Sequence, residues 1–583
     1  MLHTLTRSLR ENKGPALVTV LLSALEVVFE IVIPLFMSNL IDFGIEGGSM
    51  AAVWKFGAFL LLLAAFQLAT GVLAARIAAR ASVGFAANLR EDMYDNVQTF
   101  AFSNIDKFST ASIVTRLTTD TTNVQNAFQM LMRMAIRAPV MLIFSMIVSF
   151  RISRDISMTF LIILPILALA LFFIIRSVFP VFSRVFRTYD ELNNVVQENV
   201  RGIRVVKSFN QERHEIGKFG AISERIYKDF SKGERLITLN APLMQFCIYT
   251  CMIVISWLGA KAIIASGNDP ALGLTTGNLT ALITYTMQIL SSLMMLSMVF
   301  AMLTISLSSA RRIAEVLEER SDIPQPEQPV MTVRNGAVDF DHVSFVYASK
   351  ADKKVLDDID LHIRSGETIG IIGGTGASKS SLVQLIPRLY DVTGGKLTLG
   401  GVDVRDYDLD TLRGAVAMVL QKNELFSGTI AENLRWGNEN ATDEQLRHAC
   451  KLACADEFIS AMPDGYDTHI EQGGTNVSGG QKQRLCIARA LLKKPKVLIL
   501  DDSTSAVDTR TDAQIQQALS TYIPDTTKII IAQRISSVQN ADRIVVPDDG
   551  RINAVGSHDE LLRSCEIYRE VYESQQKGGE DDA

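Results

Sequence analysis

Residues 371–382 of the chain, IIGGTGASKSSL, combine three glycines with a lysine and several serines. Glycine lets a backbone turn tightly and expose its N–H groups, lysine supplies a cation, and serine supplies a hydroxyl that suits Mg²⁺. The residues before the glycines, TIGI, predict a buried strand, and the residues after the lysine, SSLVQLIPRLY, predict a helix. A loop of this kind between a strand and a helix predicts a binding site for nucleotide phosphates.

The loop contributes nine candidate nucleotide-binding residues, which are Gly373, Gly374, Thr375, Gly376, Ala377, Ser378, Lys379, Ser380 and Ser381. We expect Lys379 to reach the β- and γ-phosphates and Ser380 to hold Mg²⁺, so that ATP and Mg²⁺ are the predicted ligands. Ser378 stands where the usual pattern has glycine. Its Cβ crowds the loop, or its hydroxyl adds a phosphate contact, and both interpretations remain open.

Two further motifs follow the loop. KVLILDD, residues 496–502, predicts a buried strand that ends in Asp501, a second candidate ligand for the metal and its water. VSGGQKQR, residues 477–484, precedes this strand and matches the signature sequence of ATP-binding-cassette (ABC) proteins. The chain therefore resembles a half-transporter of the ABC exporter superfamily, and the resemblance covers nearly its whole length.

The resemblance implies further nucleotide contacts. Tyr347 would stack on adenine, Gln421 would touch the metal and the membrane domain, and Asp508 would lie in a loop that crosses a dimer interface. In this family two cassettes pack head to tail, so each ATP lies between the phosphate loop of one chain and the signature motif of the other. The signature residues that would face a partner's ATP are Ser478, Gly479, Gly480 and Gln481.

Two positions depart from the family's pattern. Where the family has a glutamate that polarises the attacking water, this chain has Asp502, and where it has a switch histidine, this chain has Gln533. The aspartate is one methylene shorter, and glutamine cannot carry a positive charge. The resemblance therefore points to an ABC-type ATPase whose own site hydrolyses ATP poorly, the degenerate half of a heterodimer whose partner has an intact glutamate and histidine. The alternative is a homodimer in which Asp502 acts as a slower base.

The first half of the chain must position this machinery in a membrane. It has six apolar stretches of about the length that crosses a bilayer, near 15–42, 55–79, 131–152, 156–178, 240–265 and 278–305. Two gaps between them exceed fifty residues, are rich in lysine and arginine, and keep a helical pattern. The positive-inside rule places these gaps, and both termini, in the cytoplasm.

The expected fold class is an α-helical membrane domain with long cytoplasmic hairpins, fused to an α/β cassette of the phosphate-loop type. The predicted boundaries are a membrane domain at 1–320, a proline-rich linker at 321–334, a cassette at 335–575 and a disordered acidic tail at 576–583. By resemblance, the segments 109–120 and 208–215 would dock the hairpins on the cassettes.

Three residues of the membrane spans are candidates for binding the transported compound. Glu26 and Glu30 lie one turn apart near the middle of the first span, where acidic groups are functional candidates by default. They either bind a cationic or amphipathic compound or form a structural pair neutralised within the bundle. Met298 belongs to a methionine-rich stretch of the sixth span that could line an adaptable cavity, although such a stripe is more often packing.

Composition excludes some alternatives. The net charge of −6 with 21% charged residues argues against nucleic-acid binding, and the 48% hydrophobic content argues for partnership with a lipid bilayer. The expected location is a bacterial plasma membrane, crossed several times. The expected function is ATP-driven export of hydrophobic or amphipathic compounds, and an importer with the exporter fold remains an alternative.

Overall fold

The computed structural model describes residues 1–269, 273–347, 354–374 and 376–580. Within this part, the chain forms two compact units. The first unit comprises Met1–Gln98 and Thr110–Glu319, and the second comprises Thr99–Ser109 and the chain from Arg320 onward. The short segment before Thr110 thus folds with the second unit, although it lies within the first in sequence.

The described residues before Arg320 are mainly helical. The helices are α1 (Leu2–Arg7), α2 (Lys13–Asn39), α3 (Met50–Gln98), α4 (Phe102–Lys107), α5 (Thr110–Thr115), α6 (Thr121–Ile152), α7 (Arg154–Arg201), α8 (Ile203–Ser208), α9 (Glu212–Thr238), α10 (Asn240–Ser266) and α11 (Thr276–Glu318). A 3₁₀ turn at Arg10–Asn12 and π-helical turns at Leu40–Glu46 and Arg116–Asp120 join some of them.

Six helical segments among the described residues are long and apolar enough to cross a membrane, which confirms the number predicted. Their lengths exceed a bilayer crossing: α3 has 49 residues and α7 has 48. At 1.5 Å per residue such helices are about 70 Å long, more than twice the hydrocarbon thickness. The predicted extension of the membrane helices into long hairpins is therefore confirmed.

The hairpin formed by α7 and α9 is held by side chains along its length. Gly233 faces Phe182 so closely that a Cβ there would lie 2.6 Å from the ring, and Arg225 pairs with Glu191 at 2.7 Å. Closer to the opposite end of the bundle, Asp42 caps the start of α11 by accepting the N–H of Gly277 at 2.8 Å. These contacts fix how the helices pair within the first unit.

The second unit is an α/β domain. Its strands are β1 (Val338–Phe345), β2 (Leu356–Ile363), β3 (Thr368–Ile371), β4 (Gly394–Leu399), β5 (Val402–Asp403), β6 (Val416–Val419), β7 (Gly428–Thr429), β8 (His469–Ile470), β9 (Val497–Asp501), β10 (Thr527–Ile531), β11 (Arg543–Asp548) and β12 (Arg551–Gly556). Its helices after α4 are α12 (Lys379–Gln384), α13 (Leu409–Ala415), α14 (Ile430–Arg435), α15 (Asp443–Leu452), α16 (Asp456–Ser460), α17 (Gly479–Leu492), α18 (Thr509–Tyr522), α19 (His558–Ser564) and α20 (Glu566–Glu580).

The central sheet has the strand order β12-β11-β3-β10-β9-β6 and is parallel except for β12. Strands β9 and β10 are buried along their whole length, as expected of apolar parallel strands covered on both faces. A second, antiparallel sheet has the order β2-β1-β4-β5. The carboxyl ends of β3, β9 and β10 meet at one edge of the central sheet, the place where such sheets bind ligands.

The segment that folds with the cassette is the short helix α4. The ring of Phe102 packs edge-on against Tyr390 at 6.0 Å between centroids, and the Tyr390 hydroxyl donates to Asp106 at 2.9 Å. Burial, with this bond to a carboxylate, raises the pKa of Tyr390. The prediction that the docking segment of the first hairpin spans 109–120 is wrong, because Thr99–Ser109 folds with the cassette and the chain from Thr110 belongs to the first unit. The six-residue helix α4 is too short to give a periodic signal.

The last helix extends further than expected. Helix α20 runs to Glu580, into the segment for which the sequence predicts disorder. Gln576, the first residue of that segment, donates to the hydroxyl of Tyr572 at 2.8 Å, and Gln575 just before it accepts the N–H of Ile535. These bonds give a polar, charged segment a reason to remain helical.

Candidate functional site

The phosphate loop follows β3. The Lys379 ammonium donates to the carbonyls of Gly373 and Gly374, both at 2.8 Å, and so folds back over the loop. Burial lowers the pKa of Lys379. Anionic phosphate oxygens are better partners for this ammonium than two carbonyls, so the loop fits a nucleotide phosphate. Thr375 lies outside the described residues.

Among the described residues of the loop, Gly376 and Ser378 have left-handed backbone conformations. Gly376 has φ +88°, which glycine adopts without cost, and Ser378 has φ +60°. A serine there carries a steric cost that glycine would not. Ala377 is buried beside them. The structure thus explains why the usual pattern has glycine at position 378.

The helix after the loop is shorter than predicted. Helix α12 ends at Gln384, whereas the sequence predicts a helix up to Tyr390. Pro387 has no N–H to donate, and Arg388 takes a positive φ of 51°, so the chain cannot continue as a helix.

A hydroxyl and a carboxylate suited to Mg²⁺ meet where β3 and β9 end. Ser380 donates from Oγ to Oδ1 of Asp501 at 3.0 Å. Burial raises the pKa of Asp501, and the nearby Asp502 adds to the effect. Hydroxyl and carboxylate oxygens are the ligands that Mg²⁺ prefers, and a bound cation would relieve the cost of these buried acids.

Asp502 is held by two glutamines. Gln533 donates from Nε2 to Oδ2 of Asp502 at 2.7 Å, and Gln421 donates to the same oxygen at 3.3 Å. Asp502 is 8% exposed and has φ +48°. The three residues predicted to act in hydrolysis are thus brought together by the ends of β6, β9 and β10.

Tyr347 lies at the rim of this site. It is half-exposed, its hydroxyl is 2.8 Å from that of Ser381, and its ring packs edge-on against Phe345 and Tyr390. The exposed part of this aromatic side chain is where the resemblance would place adenine.

The signature motif begins helix α17. Ser478 caps the helix by accepting the N–H of Gln481 at 3.3 Å, and the Gln481 side chain accepts the N–H of Ser478 at 2.9 Å. A Cβ at Gly480 would lie 2.8 Å from the carbonyl of Ala506, so glycine is required there. Gly479 begins the helix beside it. The cap leaves this helix start preorganised, with Ser478 and Gly479 exposed and Gln481 half-buried.

The loop after β9 connects to the signature helix. Gln483 donates to the Ser505 hydroxyl at 3.3 Å and accepts the N–H of Ala506 at 3.0 Å. Asp508 caps α18, with one oxygen on the N–H of Thr511 and the other on its hydroxyl, and these bonds lower the pKa of Asp508. Asp508 was expected to lie in a loop that crosses a dimer interface. Within this chain its side chain orders the start of α18, directly after that loop.

The two acidic residues of the first span share one cation. Arg137 on α6 donates to Glu26 at 2.7 Å and to Glu30 at 2.6 Å. A Cβ at Gly71 would lie 3.2 Å from Glu26, so α3 closes over this carboxylate. The arrangement matches the structural pair neutralised within the bundle, one of the two interpretations left open by the sequence.

A small cavity adjoins this cluster. It has a volume of about 190 Å³ and an amphipathic lining of Glu30, Arg137, Ala138, Met141, Met287, Gln288, Ser291, Ser292 and Met295. Met298, the methionine singled out from the sequence, lies outside this lining and is 61% exposed.

Sequence reasoning missed three residues that organise these sites. Arg137 carried a signal, because a charge inside an apolar span is itself informative. Gln483 lies within the signature stretch, but its contacts with a distant loop have no sequence mark. Gln575 lies about forty residues after Gln533 in the sequence and bonds to its loop, and no motif in the residues around Gln575 indicates this contact.

The fold and these sites define the class of protein. Residues 16–294 match the ABC transporter transmembrane region family, and residues 356–505 match the ABC transporter family. The chain belongs to the ABC transporter family, and it is a half-transporter with an ABC ATPase domain that couples ATP hydrolysis to transport.

Individual relatives agree with this assignment. The chain is 35% identical over 558 residues to the uncharacterized ABC transporter ATP-binding protein YfiB of Bacillus subtilis, covering 96% of each chain. It is 33% identical over 580 residues to an uncharacterized ABC transporter ATP-binding protein of Mycobacterium tuberculosis, covering 99% of this chain and 98% of the other. A bacterial Atm1-family ABC exporter solved with ATP bound shares the fold, with a TM-score of 0.80 at 24% identity over 97% of this chain and 98% of that chain.

Proposed function

We propose that this chain is one half of a heterodimeric exporter of amphipathic or hydrophobic compounds, and that its own ATP site is impaired in hydrolysis. The observation that carries the proposal is the position of Asp502, whose Oδ2 accepts hydrogen bonds from both Gln533 and Gln421. A general base must offer a free oxygen to the attacking water. Here Oδ2, one of the two carboxylate oxygens, already has two amide partners, so the carboxylate is less available to the water.

The types of these residues support the same conclusion. A carboxylate one methylene shorter than glutamate stands further from the water, and a displacement of about 1 Å can cost a hundredfold in rate. The amide of Gln533 is a hydrogen-bond donor, but it has no positive charge to place beside the negative charge that develops on the γ-phosphate. Lys379, Ser380 and Asp501 retain the groups needed to hold ATP and Mg²⁺. The site is therefore suited to binding with slow turnover.

The signature motif supports a role towards a partner chain. Ser478 and Gln481 cap the start of α17, and Gly480 packs against Ala506. This ordered helix start is the part of the chain that would complete the ATP site of a second half-transporter with an intact glutamate and histidine. The chain would thus supply a competent surface to its partner while its own phosphate loop retains ATP.

Coupling to the membrane domain would proceed through α4. Phe102 and Asp106 contact Tyr390, six residues after the end of α12, which begins at Lys379. A movement of the phosphate loop would be passed through this segment to the hairpin. The second hairpin tip, 208–215, would dock on the partner's cassette. We place the termini and cassettes in the cytoplasm and the spans in a bacterial plasma membrane, because the long gaps are rich in lysine and arginine.

The cavity beside Arg137 suggests the chemical class of the cargo. The lining combines flexible methionines with serine hydroxyls and the amide of Gln288, and the three charged groups of the cluster sum to one negative charge. Such a surface suits an apolar compound with a cationic or neutral polar group. The Glu30→Gln variant should reduce export of a cationic dye from proteoliposomes more than export of a neutral one.

The test is ATP hydrolysis by the purified chain alone, and by the complex formed when it is co-expressed with a second half-transporter that has an intact catalytic glutamate. We expect the chain alone to be nearly inactive. We also expect the complex to lose most of its turnover when the partner's catalytic glutamate becomes glutamine, but little when Asp502 becomes asparagine. Brisk hydrolysis by the chain alone, abolished by Asp502→Asn, would instead establish a homodimer with a competent base.

A further inference from the structure

We infer that Gln575, on the C-terminal helix α20, is a positioning residue that fixes the loop carrying Gln533. The inference goes beyond the proposed function, since it concerns how the site is held and not how fast it turns over. Three hydrogen bonds connect the C-terminal helix to the carboxylate of Asp502.

The first two bonds hold the backbone of the loop. The Gln575 side chain accepts the N–H of Ile535 through Oε1 at 2.9 Å and donates through Nε2 to the carbonyl of Gln533 at 2.7 Å. One side-chain amide thus bonds to the backbone of both Gln533 and Ile535. Gln533 lies between the end of β10 at Ile531 and the 3₁₀ turn that begins at Ile535, and the amide of Gln575 supplies hydrogen bonds to the backbone of this loop.

The third bond passes this constraint to the site. With its backbone carbonyl held by Gln575, Gln533 aims its own Nε2 at Oδ2 of Asp502 at 2.7 Å. The side chain of Gln533 has three rotatable bonds, so its amide stays on the carboxylate only if the backbone from which it projects is fixed. Gln575 therefore acts on the carboxylate through another residue and does not touch the phosphate loop.

The helix that carries Gln575 is anchored independently. Tyr568 of α20 is 1% exposed, its hydroxyl lies 2.7 Å from Nδ1 of His558, and its ring belongs to the same hydrophobic cluster as Ile535 and Val538. This packing fixes α20 without the amide of Gln575. Replacing that amide should change the loop and leave the helix folded, which separates positioning from stability.

The neighbouring residue provides a matched control. Gln576 lies beside Gln575 on the same helix, but its Nε2 donates to the hydroxyl of Tyr572 within α20. A leucine has nearly the volume of glutamine and no hydrogen-bonding group. The variants Gln575→Leu and Gln576→Leu therefore remove one amide each from adjacent positions, and only the first should affect the loop.

The test measures hydrogen exchange in a peptide covering residues 532–538, in the full-length protein without nucleotide. Gln575→Leu should speed exchange of the Ile535 amide on the order of tenfold, the equivalent of one or two hydrogen bonds. Gln575→Glu should keep this amide protected, since its carboxylate still accepts from Ile535, although it cannot donate to Gln533. Gln576→Leu should match the wild type.

The second measurement is ATP hydrolysis by whichever assembly is active, alone or with its partner. Gln575→Leu should raise the residual kcat of this chain's own site, measured with any partner's catalytic glutamate changed to glutamine, because a loosened Gln533 frees Oδ2 of Asp502. KM and the melting temperature should stay unchanged. Exchange at Ile535 that is the same in Gln575→Leu and wild type, or equal effects of Gln575→Leu and Gln576→Leu, would overturn the inference. Because exchange needs no turnover, this outcome is distinguishable from failure of the heterodimer proposal.

Discussion

Gln533 donates from Nε2 to Oδ2 of Asp502 over 2.7 Å, and this bond joins the ends of two neighbouring parallel strands, β10 and β9. Each residue replaces a longer or charged group of the family's pattern, and the two replacements contact each other. This bond satisfies the amide and one carboxylate oxygen in the absence of nucleotide, and under the proposed function it makes the carboxylate less available as a base.

Lengthening the carboxylate should restore turnover. We expect Asp502→Glu combined with Gln533→His to raise ATP hydrolysis by the chain alone on the order of tenfold to a hundredfold, because the base would reach the water and the imidazole could carry a positive charge. Initial rates of phosphate release give the measurement. Asp502→Asn is the control and should stay at or below the wild type, and a double variant as slow as the wild type would contradict the explanation.

Ser378 offers a test of the two interpretations left open by the sequence. If its Cβ crowds the loop, Ser378→Gly should bind a fluorescent ATP analogue as tightly as the wild type or more so, since glycine adopts φ +60° freely. Ser378→Ala keeps the Cβ and removes the hydroxyl. A loss of affinity in both variants would show that the hydroxyl contacts phosphate. Ser378→Val should weaken binding at least tenfold in either case, because a β-branched residue rarely adopts this conformation.

The cation shared by Glu26 and Glu30 should be essential for stability. Arg137→Met would leave two carboxylates within the helical bundle without their partner, at a cost of about 3–5 kcal/mol. Thermal inactivation of the detergent-solubilised protein should show it. The triple variant Glu26→Gln, Glu30→Gln, Arg137→Met removes all three charges and should recover most of the loss. Arg133→Met, one turn away on α6, is the control. An equal loss of stability in that variant would contradict the view that Arg137 stabilises the protein by neutralising Glu26 and Glu30.

The contact of α4 with the cassette should affect coupling rather than ATP binding. Phe102→Ala removes a ring that packs on Tyr390, and Tyr390→Phe removes the hydroxyl that donates to Asp106. We expect each to reduce stimulation of ATP hydrolysis by transported compounds several-fold and to leave nucleotide affinity unchanged. Tyr522→Phe alters an exposed tyrosine of the cassette and serves as the control. Full stimulation in both variants would contradict a coupling role.

The pair of Glu367 and Arg543 gives a pH dependence of stability. Burial would raise the pKa of Glu367, but the hydrogen bonds from Arg543 and from the N–H of Arg364 outweigh it and lower the pKa. Because the pKa of Glu367 is lower in the folded state, its stabilisation is complete at pH values above the unfolded-state pKa. The stabilisation is lost as the pH falls through the folded-state pKa. Glu367→Gln should therefore destabilise the protein by about 2 kcal/mol at pH 7.

The difference between this variant and the wild type should shrink below about pH 4.5, near the ordinary glutamate value. Melting temperatures measured from pH 7 to pH 4 provide the measurement. Glu327→Gln, in the segment before β1, is a control expected to show neither effect. A difference that stayed constant down to pH 4 would show that the carboxylate charge is not the source of the stabilisation.

Much of this architecture could be predicted from the sequence because it depends on local or periodic signals. Apolar runs of membrane length gave six spans, and the glycine-rich loop, the acidic strand and the signature stretch each lie in consecutive residues. The chemistry of the phosphate loop follows from residue types that few other arrangements use. The position of the docking helix α4 could not be predicted, because Phe102 and Asp106 acquire their role only through Tyr390, far along the chain.

The sequence by itself determined that this protein is a membrane half-transporter with an ATP-binding cassette, and it marked Asp502 and Gln533 as departures from the family's pattern. Only the tertiary structure decided that these two side chains bond to each other, that Arg137 neutralises both intramembrane glutamates, and that Gln575 holds the loop of Gln533. The physical reason is that hydrogen bonds and ion pairs depend on distances of about 3 Å between residues remote in sequence. Such distances are set by how strands and helices pack, and a periodic pattern of residue types carries no record of them.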